Sequence, residues 1–500
     1  MKALSRLIYD AGQTYGFYTA IKEKEGTLSY SDFNRSALSI ASFLSYHGLV
    51  YENIGILGQR RLSAFQGVLG ALYAGCAYVP INSKLPEEKV RFIIEETDIR
   101  VLIGSERDWS AMWEKIPRDR NECIILPDAK KTAEENHIRI ITVSDFSNIP
   151  QLDRPVEPPP EQHVYIMYTS GSTGKPKGVP LSNTNVVCFL EDITKLYTPK
   201  AGFRASQTYD LSFDVSVTDM FFTWMNGGTL CVLSQEELLC PSEYIKREKI
   251  EFWNSVPTIA GFMNKLDTLN PNEFPSLRFS LFCGEPLKQS VANKWQLAAP
   301  NSTVENVYGP TEATVFVTRY RYSRKDHVKA FSNGIVPIGQ PLPRTEMAIV
   351  DDEHNRISGG GTVGELAIKG RQVAEGYLND KEKTKRAFVK MPWEKDGGYW
   401  YKTGDSAFYN EKGDLECLGR KDTQIKITGR RVEISEIEFH LSRVVGSDVI
   451  VSPYRDDHHI VCRDWLLTRP SICRKRRFGT LNNNASRFWR IFFSRENSSV

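Results

Sequence analysis

Cysteine pairs are missing from this chain: its nine cysteines, at 76, 123, 188, 231, 240, 283, 417, 462 and 473, include no C-x-x-C and are odd in number. A disulfide frame or a cysteine zinc site is therefore a poor reading, and reduced thiols packed as small hydrophobes a better one. Also missing is any apolar run near the roughly 18 residues of a membrane span. The opening MKALSRLIYDAGQTYG has no apolar signal core either. These absences predict a cytoplasmic protein without a membrane span. Charge of one sign is scarce: a net +3 on 500 residues gives no general attraction for nucleic acid or lipid, so no nucleic-acid partner is expected. No internal repeat or low-complexity tract occurs, which excludes a solenoid and a disordered chain.

What is present suits a globular protein: 41% hydrophobic and 25% charged residues can build cores. At roughly 150 residues per unit, the length allows about two to four of them. Between Leu28 and Val101, YSDFNRSALSIASFLSYHGL has helical period, NIGILG reads as a strand and LSAFQGVLGALYAG as a second helix. Such alternation predicts an α/β architecture of layered subdomains. The proline-rich IPQLDRPVEPPPEQ, Ile149 to Gln162, reads as a connector between subdomains. Past it, HVYIMYT, NGGTLCVLS and LRFSLFCGEPL read as strands, and GTVGELAIKG as part of a small β-rich unit. Near Gly419 the pattern becomes turn, strand, turn and a helix opening at Ser435. Residues 1–419 are thus expected to form a large domain, and residues 420–500 a small α+β C-terminal domain.

The most informative segment is YTSGSTGKPKGV, Tyr168 to Val179, directly after a predicted strand. Glycines let successive backbone N–H groups approach phosphate oxygens, hydroxyls add donors, and Lys175 or Lys177 supplies positive charge. It is not G-x-x-x-x-G-K-[ST], so the Walker A reading fails. Downstream, NVYGPTEATV offers an aromatic ring, Tyr308, suited to stacking on adenine, and a carboxylate, Glu312, suited to Mg2+ beside phosphates. In YKTGD, Asp405 follows a tight turn, and a carboxylate there can accept from both ribose hydroxyls. Each of the last two, taken alone, is also an ordinary turn with a solvated acid.

In this order, with FDVSVTDMF (213–221), GELAIKG (364–370) and GRKDTQIKITGRRVEISEIE (419–438), the motifs resemble the acyl-adenylate-forming (AMP-binding) superfamily. The likeness is closest to D-alanine:D-alanyl-carrier-protein ligases and nonribosomal adenylation domains, and it covers the chain to about Val449. The resemblance implies an ATP- and Mg2+-dependent ligase. It places ATP on Thr169, Ser170, Gly171, Ser172, Thr173, Gly174, Asn306, Val307, Tyr308, Gly309, Pro310, Thr311, Asp405 and Arg420. It makes Thr173, Lys177 and Glu312 the catalytic residues, with Glu312 also the metal ligand, and Asp422 the hinge of a rotating C-terminal domain.

Substrate class turns on Asp214, at the position where amino-acid-activating members pair a carboxylate with the substrate ammonium. An Asp capping the adjacent helix is the competing reading. Cys283 and Val315 match residues that line the alanine pocket in the D-alanine ligases, so a small amino acid, D-alanine first, is expected. One methylene discriminates by only about 1–3 kcal/mol, so pocket size alone does not fix identity. The implied reaction forms an aminoacyl-AMP with release of pyrophosphate. The acyl group then passes to a phosphopantetheinyl carrier protein in trans, no carrier domain being visible. An acyl-CoA or aryl-acid ligase and a non-catalytic nucleotide-binding remnant are the rivals.

The family's C-terminal lysine, in a segment like PLTxNGKIDR, has no counterpart here. After about His459 the sequence RDWLLTRPSICRKRRFGTLNNNASRFWRIFFSRENSSV carries nine basic residues against two acidic ones and shows no helix–strand alternation. The expectation is a truncated, replaced C-terminal domain, with impaired turnover and retained ATP binding. A frameshift, a basic tail and substitution by Lys475 remain open as explanations.

Overall fold

The computed structural model describes residues 2–421 except 25, 59, 118–122, 130–132, 136–137, 171–174, 324, 327–330, 332–333 and 396. Beyond 421 it describes 424–427, 430–434, 437–438, 441, 450–452 and 466–468. Gly171, Ser172, Thr173, Gly174, Asp422 and Ser435 therefore lie outside the described residues.

Helix Tyr30–Tyr46 begins where the Ser29 hydroxyl accepts the Asp32 N–H at 3.1 Å, satisfying a donor that the first turn leaves open. Its Tyr30, Phe33, Ala37, Ile40, Ala41 and Leu44, three and four residues apart, form one buried stripe. The stripe meets helix Leu62–Tyr73, as the predicted periodicity requires.

Eight strands form the first sheet, in the order Lys177–Ser182, His163–Thr169, Ala77–Ile81, Asn53–Leu57, Val101–Ile103, Cys123–Ile125, Ile138–Ile141, Ala133–Glu135. Its centre is parallel, and AYVPI at Ala77–Ile81 is buried throughout, as a strand covered on both faces must be. A second sheet of nine strands has a parallel centre of Thr229–Val232, Arg204–Gln207, Phe252–Ser255, Phe279–Phe282 and Thr303–Tyr308. Between the sheets, Trp224 packs on Phe33 (4.8 Å between ring centroids), Phe221 (5.9 Å) and Phe65 (6.0 Å), within a buried cluster that also includes Ile54 and Leu281.

One feature goes beyond the sequence reading and one departs from it. Thr19–Glu23 pairs antiparallel with Gly26–Ser29 and runs parallel to Thr229–Val232, so these two early strands lie in the second sheet, apart from Asn53–Leu57. The proline-rich stretch before His163 does not divide subdomains: the strands before and after it lie in one sheet. Proline lacks the N–H a ladder needs, so the stretch crosses outside the sheet, held in part by Val156 N–H on Tyr73 O at 2.8 Å.

The expected β-rich unit is an antiparallel five-stranded sheet built on Gly364–Gly370 and Tyr399–Tyr409, with Leu415–Arg420 at its edge. Beyond it, Gln424–Ile427 pairs with Arg430–Glu433, and Ile450–Ser452 with Leu466–Thr468. The last strand lies in the tail where no such alternation was expected. No helix among the described residues is long and apolar enough to cross a membrane.

Candidate active site

The phosphate-loop sequence is the connection of a hairpin. His163–Thr169 and Lys177–Ser182 pair antiparallel with Thr169 opposite Lys177, so both ends of the loop are fixed in register. The Thr169 hydroxyl is enclosed and has no hydrogen-bond partner among the described atoms, an orphaned donor at the loop's mouth. Tyr168 donates to Glu96 at 2.7 Å, anchoring the strand just before the loop. Burial lifts Glu96 above its usual carboxylate range, and the tyrosine's donation pulls it partly back. Lys175 Nζ lies 6.0 Å from the centre of the Phe92 ring and Lys177 Nζ 5.2 Å from that of Tyr377.

Tyr377 joins this lysine to the second motif, because its hydroxyl donates to Glu312 Oε1 at 2.8 Å. Glu312 is fully buried in the short 3-10 turn Thr311–Ala313, which Pro310 opens. Then come two β-branched residues with positive φ, Thr314 at 56° and Val315 at 68°. Such conformations cost on the order of 1–3 kcal/mol each and persist only where neighbours hold them. Gly309 supplies one side of that hold: a Cβ there would stand 2.4 Å from Phe316 Cα and 2.6 Å from Val315 O. Gln372, fully buried, supplies the other, donating to Phe316 O at 3.0 Å and to Thr314 O at 3.3 Å.

At the far end of the same loop, the Tyr308 hydroxyl donates to Asp405 Oδ2 at 2.5 Å. Burial, and next the Asp405 charge, hold the phenol far above its usual range, so it stays protonated. Arg420 lies opposite Asp405 in the strand register, reaches its Oδ1 at 3.5 Å and donates to Thr403 O. Tyr308, Asp405 and Arg420 are thus brought together from two sheets. Asn306 points elsewhere: its amide donates to Val336 O at 2.9 Å and Pro337 O at 3.0 Å. The Val307 side chain belongs to the hydrophobic core, which leaves only its backbone for a ligand.

Asp214 is buried at the N-cap position of the helix that opens at Val215, yet its side chain makes no capping hydrogen bond. Cys283 and Val315, both buried, belong to one contiguous cluster with Val215. Tyr209 sits among these residues. Its hydroxyl donates to Cys283 O at 3.2 Å, and burial, then the nearby Cys283, Asp219, Glu285 and Asp214, raise its phenol. A turn beyond Asp214 the helix widens into a π turn, Thr218–Phe222, a form frequent near functional sites. Asp219 in that turn is buried and accepts from Asn254 Nδ2 at 2.8 Å.

Sequence reasoning missed Tyr209, Tyr377 and Gln372. Tyr377 and Gln372 follow GELAIKG closely, and Tyr209 precedes FDVSVTDMF, so nearness to a motif was the available signal.

Among the described residues, no group of three or more His, Cys, Asp or Glu is placed to hold a metal. A Mg2+ carried on a triphosphate asks for only one or two protein carboxylates, and the buried Glu312 fits that need.

Two layered α/β sheets with a β-rich appendage, a hairpin whose Lys177 is joined through Tyr377 to Glu312, and a Tyr–Asp–Arg set define a nucleotide-handling class. The family model for AMP-binding enzymes matches residues 9–378, and the chain belongs to that family. The D-alanine–D-alanyl carrier protein ligase of Bacillus licheniformis is 30% identical, over 89% of this chain and 84% of that protein. Surfactin synthase subunit 2 of Bacillus subtilis is 31% identical over 88% of this chain, which spans only 12% of the synthase's length. The crystal structure of the Vibrio cholerae adenylation domain AlmE with glycyl-adenosine-5'-phosphate superposes with a TM-score of 0.80 at 30% identity, covering 92% of this chain and 88% of that one.

Proposed function

We propose that this chain activates a small amino acid, D-alanine first, as an aminoacyl-AMP and passes it to the phosphopantetheine thiol of a carrier protein in trans. The observation that carries this reading is the buried Asp214, which stands at a helix start without capping it and shares the buried Tyr209 as a neighbour with Cys283. A buried carboxylate is costly unless a cation meets it, and an α-ammonium group is such a cation where a fatty or aryl acid offers none. The carrier-protein ligase at 30% identity supports D-alanine, and the glycyl adenylate bound by AlmE supports a small side chain.

In the first step the acid's carboxylate attacks the α-phosphorus of ATP in line, the bond to pyrophosphate breaks, and aminoacyl-AMP forms. Catalysis is mainly positioning and charge neutralisation. Thr169, Ser170 and the 171–174 loop with Thr173 would cradle phosphates, and Lys177 would balance their charge. Asp405 and Arg420 would take the ribose, Tyr308 and the backbone of 306–311 the adenine, and Glu312 would hold Mg2+. When bound, Mg2+ supplies neutralisation of the phosphates. The thiol then attacks the mixed anhydride and AMP leaves, with Asp422 as the hinge between a domain of residues 1–419 and a C-terminal lid. ATP–pyrophosphate exchange with D-alanine, L-alanine, glycine and larger amino acids tests the reading. Exchange dependent on a small amino acid, and lost in Asp214→Ala, is the expected result; exchange indifferent to every acid would overturn it. ATP binding without exchange would favour the non-catalytic nucleotide-binding remnant.

A further inference from the structure

Gln372 stands two residues past GELAIKG, outside every motif, yet every polar atom of its side chain is engaged. Beyond its two donations to Thr314 O and Phe316 O, its Oε1 accepts from Thr345 Oγ1 at 3.4 Å, and its backbone carbonyl accepts from Thr314 Oγ1 at 2.5 Å. These bonds grip the chain immediately before and after Val315, a β-branched residue held at a positive φ of 68°. The neighbours of Gln372 are fastened as well. Asn185 donates to Arg371 O at 2.7 Å and Val373 O at 3.1 Å, and Ala374 N–H donates to Glu312 O at 2.8 Å. Asn185 also completes the capping box of helix Asn183–Tyr197, which follows directly on the phosphate hairpin. Residues 371–374 therefore strap the loop of Glu312 and Val315 to the helix that the phosphate hairpin feeds.

We infer that Gln372 is a positioning residue: it holds Val315 in a strained backbone as the wall of the acid pocket, and so tunes acid recognition without touching the acid. This rests on the amino-acid reading above. A glutamine suits the task because its amide offers two donors to the two carbonyls that flank Val315 while its oxygen takes a third partner. No residue with a single polar atom does all three.

Gln372→Glu keeps the volume and removes both donors; Gln372→Ala is the second variant, should the carboxylate prevent folding. Hydrogen exchange of the amides at 314–318 reads the clamp without ligand. Exchange about ten-fold faster or more in that segment, with peptides of 163–182 unchanged, supports the inference; unchanged exchange at 314–318 overturns it. Calorimetry with Mg·ATP and with D-alanyl-sulfamoyl-adenosine reads the consequence. Affinity for the aminoacyl analogue should fall about ten-fold while ATP affinity stays within about three-fold. Equal losses for both ligands would mark a merely structural residue and overturn the positioning role. If the parent protein binds ATP but no aminoacyl analogue, the amino-acid reading falls, and the exchange result alone decides the clamp.

Discussion

Asp214 and Asp405 are both buried carboxylates, set in different surroundings. Asp405 already has Tyr308 at 2.5 Å and Arg420 at 3.5 Å. Tyr308→Phe keeps the ring and removes the donor, so the protein should lose about 1.5–3 kcal/mol, the usual worth of a hydrogen bond to a charged group. Urea unfolding measures this, and an unchanged midpoint would show that Asp405 finds another donor at no cost. Asp214 is the residue matched to a substrate ammonium. Asp214→Asn keeps its size and removes its charge, and should weaken dependence on the amino acid about ten- to hundred-fold while ATP affinity holds. Titrating the amino acid in pyrophosphate exchange at saturating ATP separates the two, and a parallel loss of ATP affinity would contradict an ammonium role.

At the scale of elements, the loop between Thr303–Tyr308 and Thr318–Tyr322 carries Glu312 and Val315, and Gly309 sets how tightly it folds back. Gly309→Ala pushes a methyl into the Phe316 backbone rather than into a yielding side chain. The cost should be about 1–3 kcal/mol, seen as a lower melting temperature. ATP affinity should fall with it, since Tyr308 and Glu312 flank the displaced turn. What the sequence made legible here was local. An apolar run ending in glycine and serine gives the strand His163–Thr169 and its turn, and a stripe at three and four gives Tyr30–Tyr46. Pairing between distant segments leaves no such trace, which is why Thr19–Glu23 beside Thr229–Val232 was invisible. Asp214, Asp405 and Arg420 stood out only through their place in an ordered series of motifs, since a helix cap or an ordinary turn explains a lone acid as well. Gln372 and Tyr377 did not, since a glutamine or tyrosine gains its meaning only from the carbonyl or carboxylate that the fold brings to it. Val315 carries no sign of its left-handed backbone, because nothing in a valine announces a conformation it disfavours.

For the molecule as a whole, the buried Asp219 ties folding stability to pH. It lies in the helix between the two large sheets, held by Asn254, and burial pushes its carboxyl well above the usual range. The nearby Arg60, itself buried, and the amides of Thr208 and Tyr209 pull it down, but desolvation prevails. A proton is thus kept in the folded state at pH values where the unfolded chain, with an ordinary Asp near 3.9, has released it. The stability this proton confers is complete below that unfolded value and is lost as pH rises toward the folded one. Through that window Asp219 alone should remove about 1.4 kcal/mol of stability per pH unit. Asp219→Asn carries no titrating proton but keeps the shape and the acceptor for Asn254. Urea unfolding at stepped pH values upward from about pH 4 should therefore show the parent losing stability more steeply than the variant until Asp219 titrates in the fold, by close to one proton's slope. Parallel curves would mean that Asp219 is ionised in the fold and that Arg60, rather than burial, governs it.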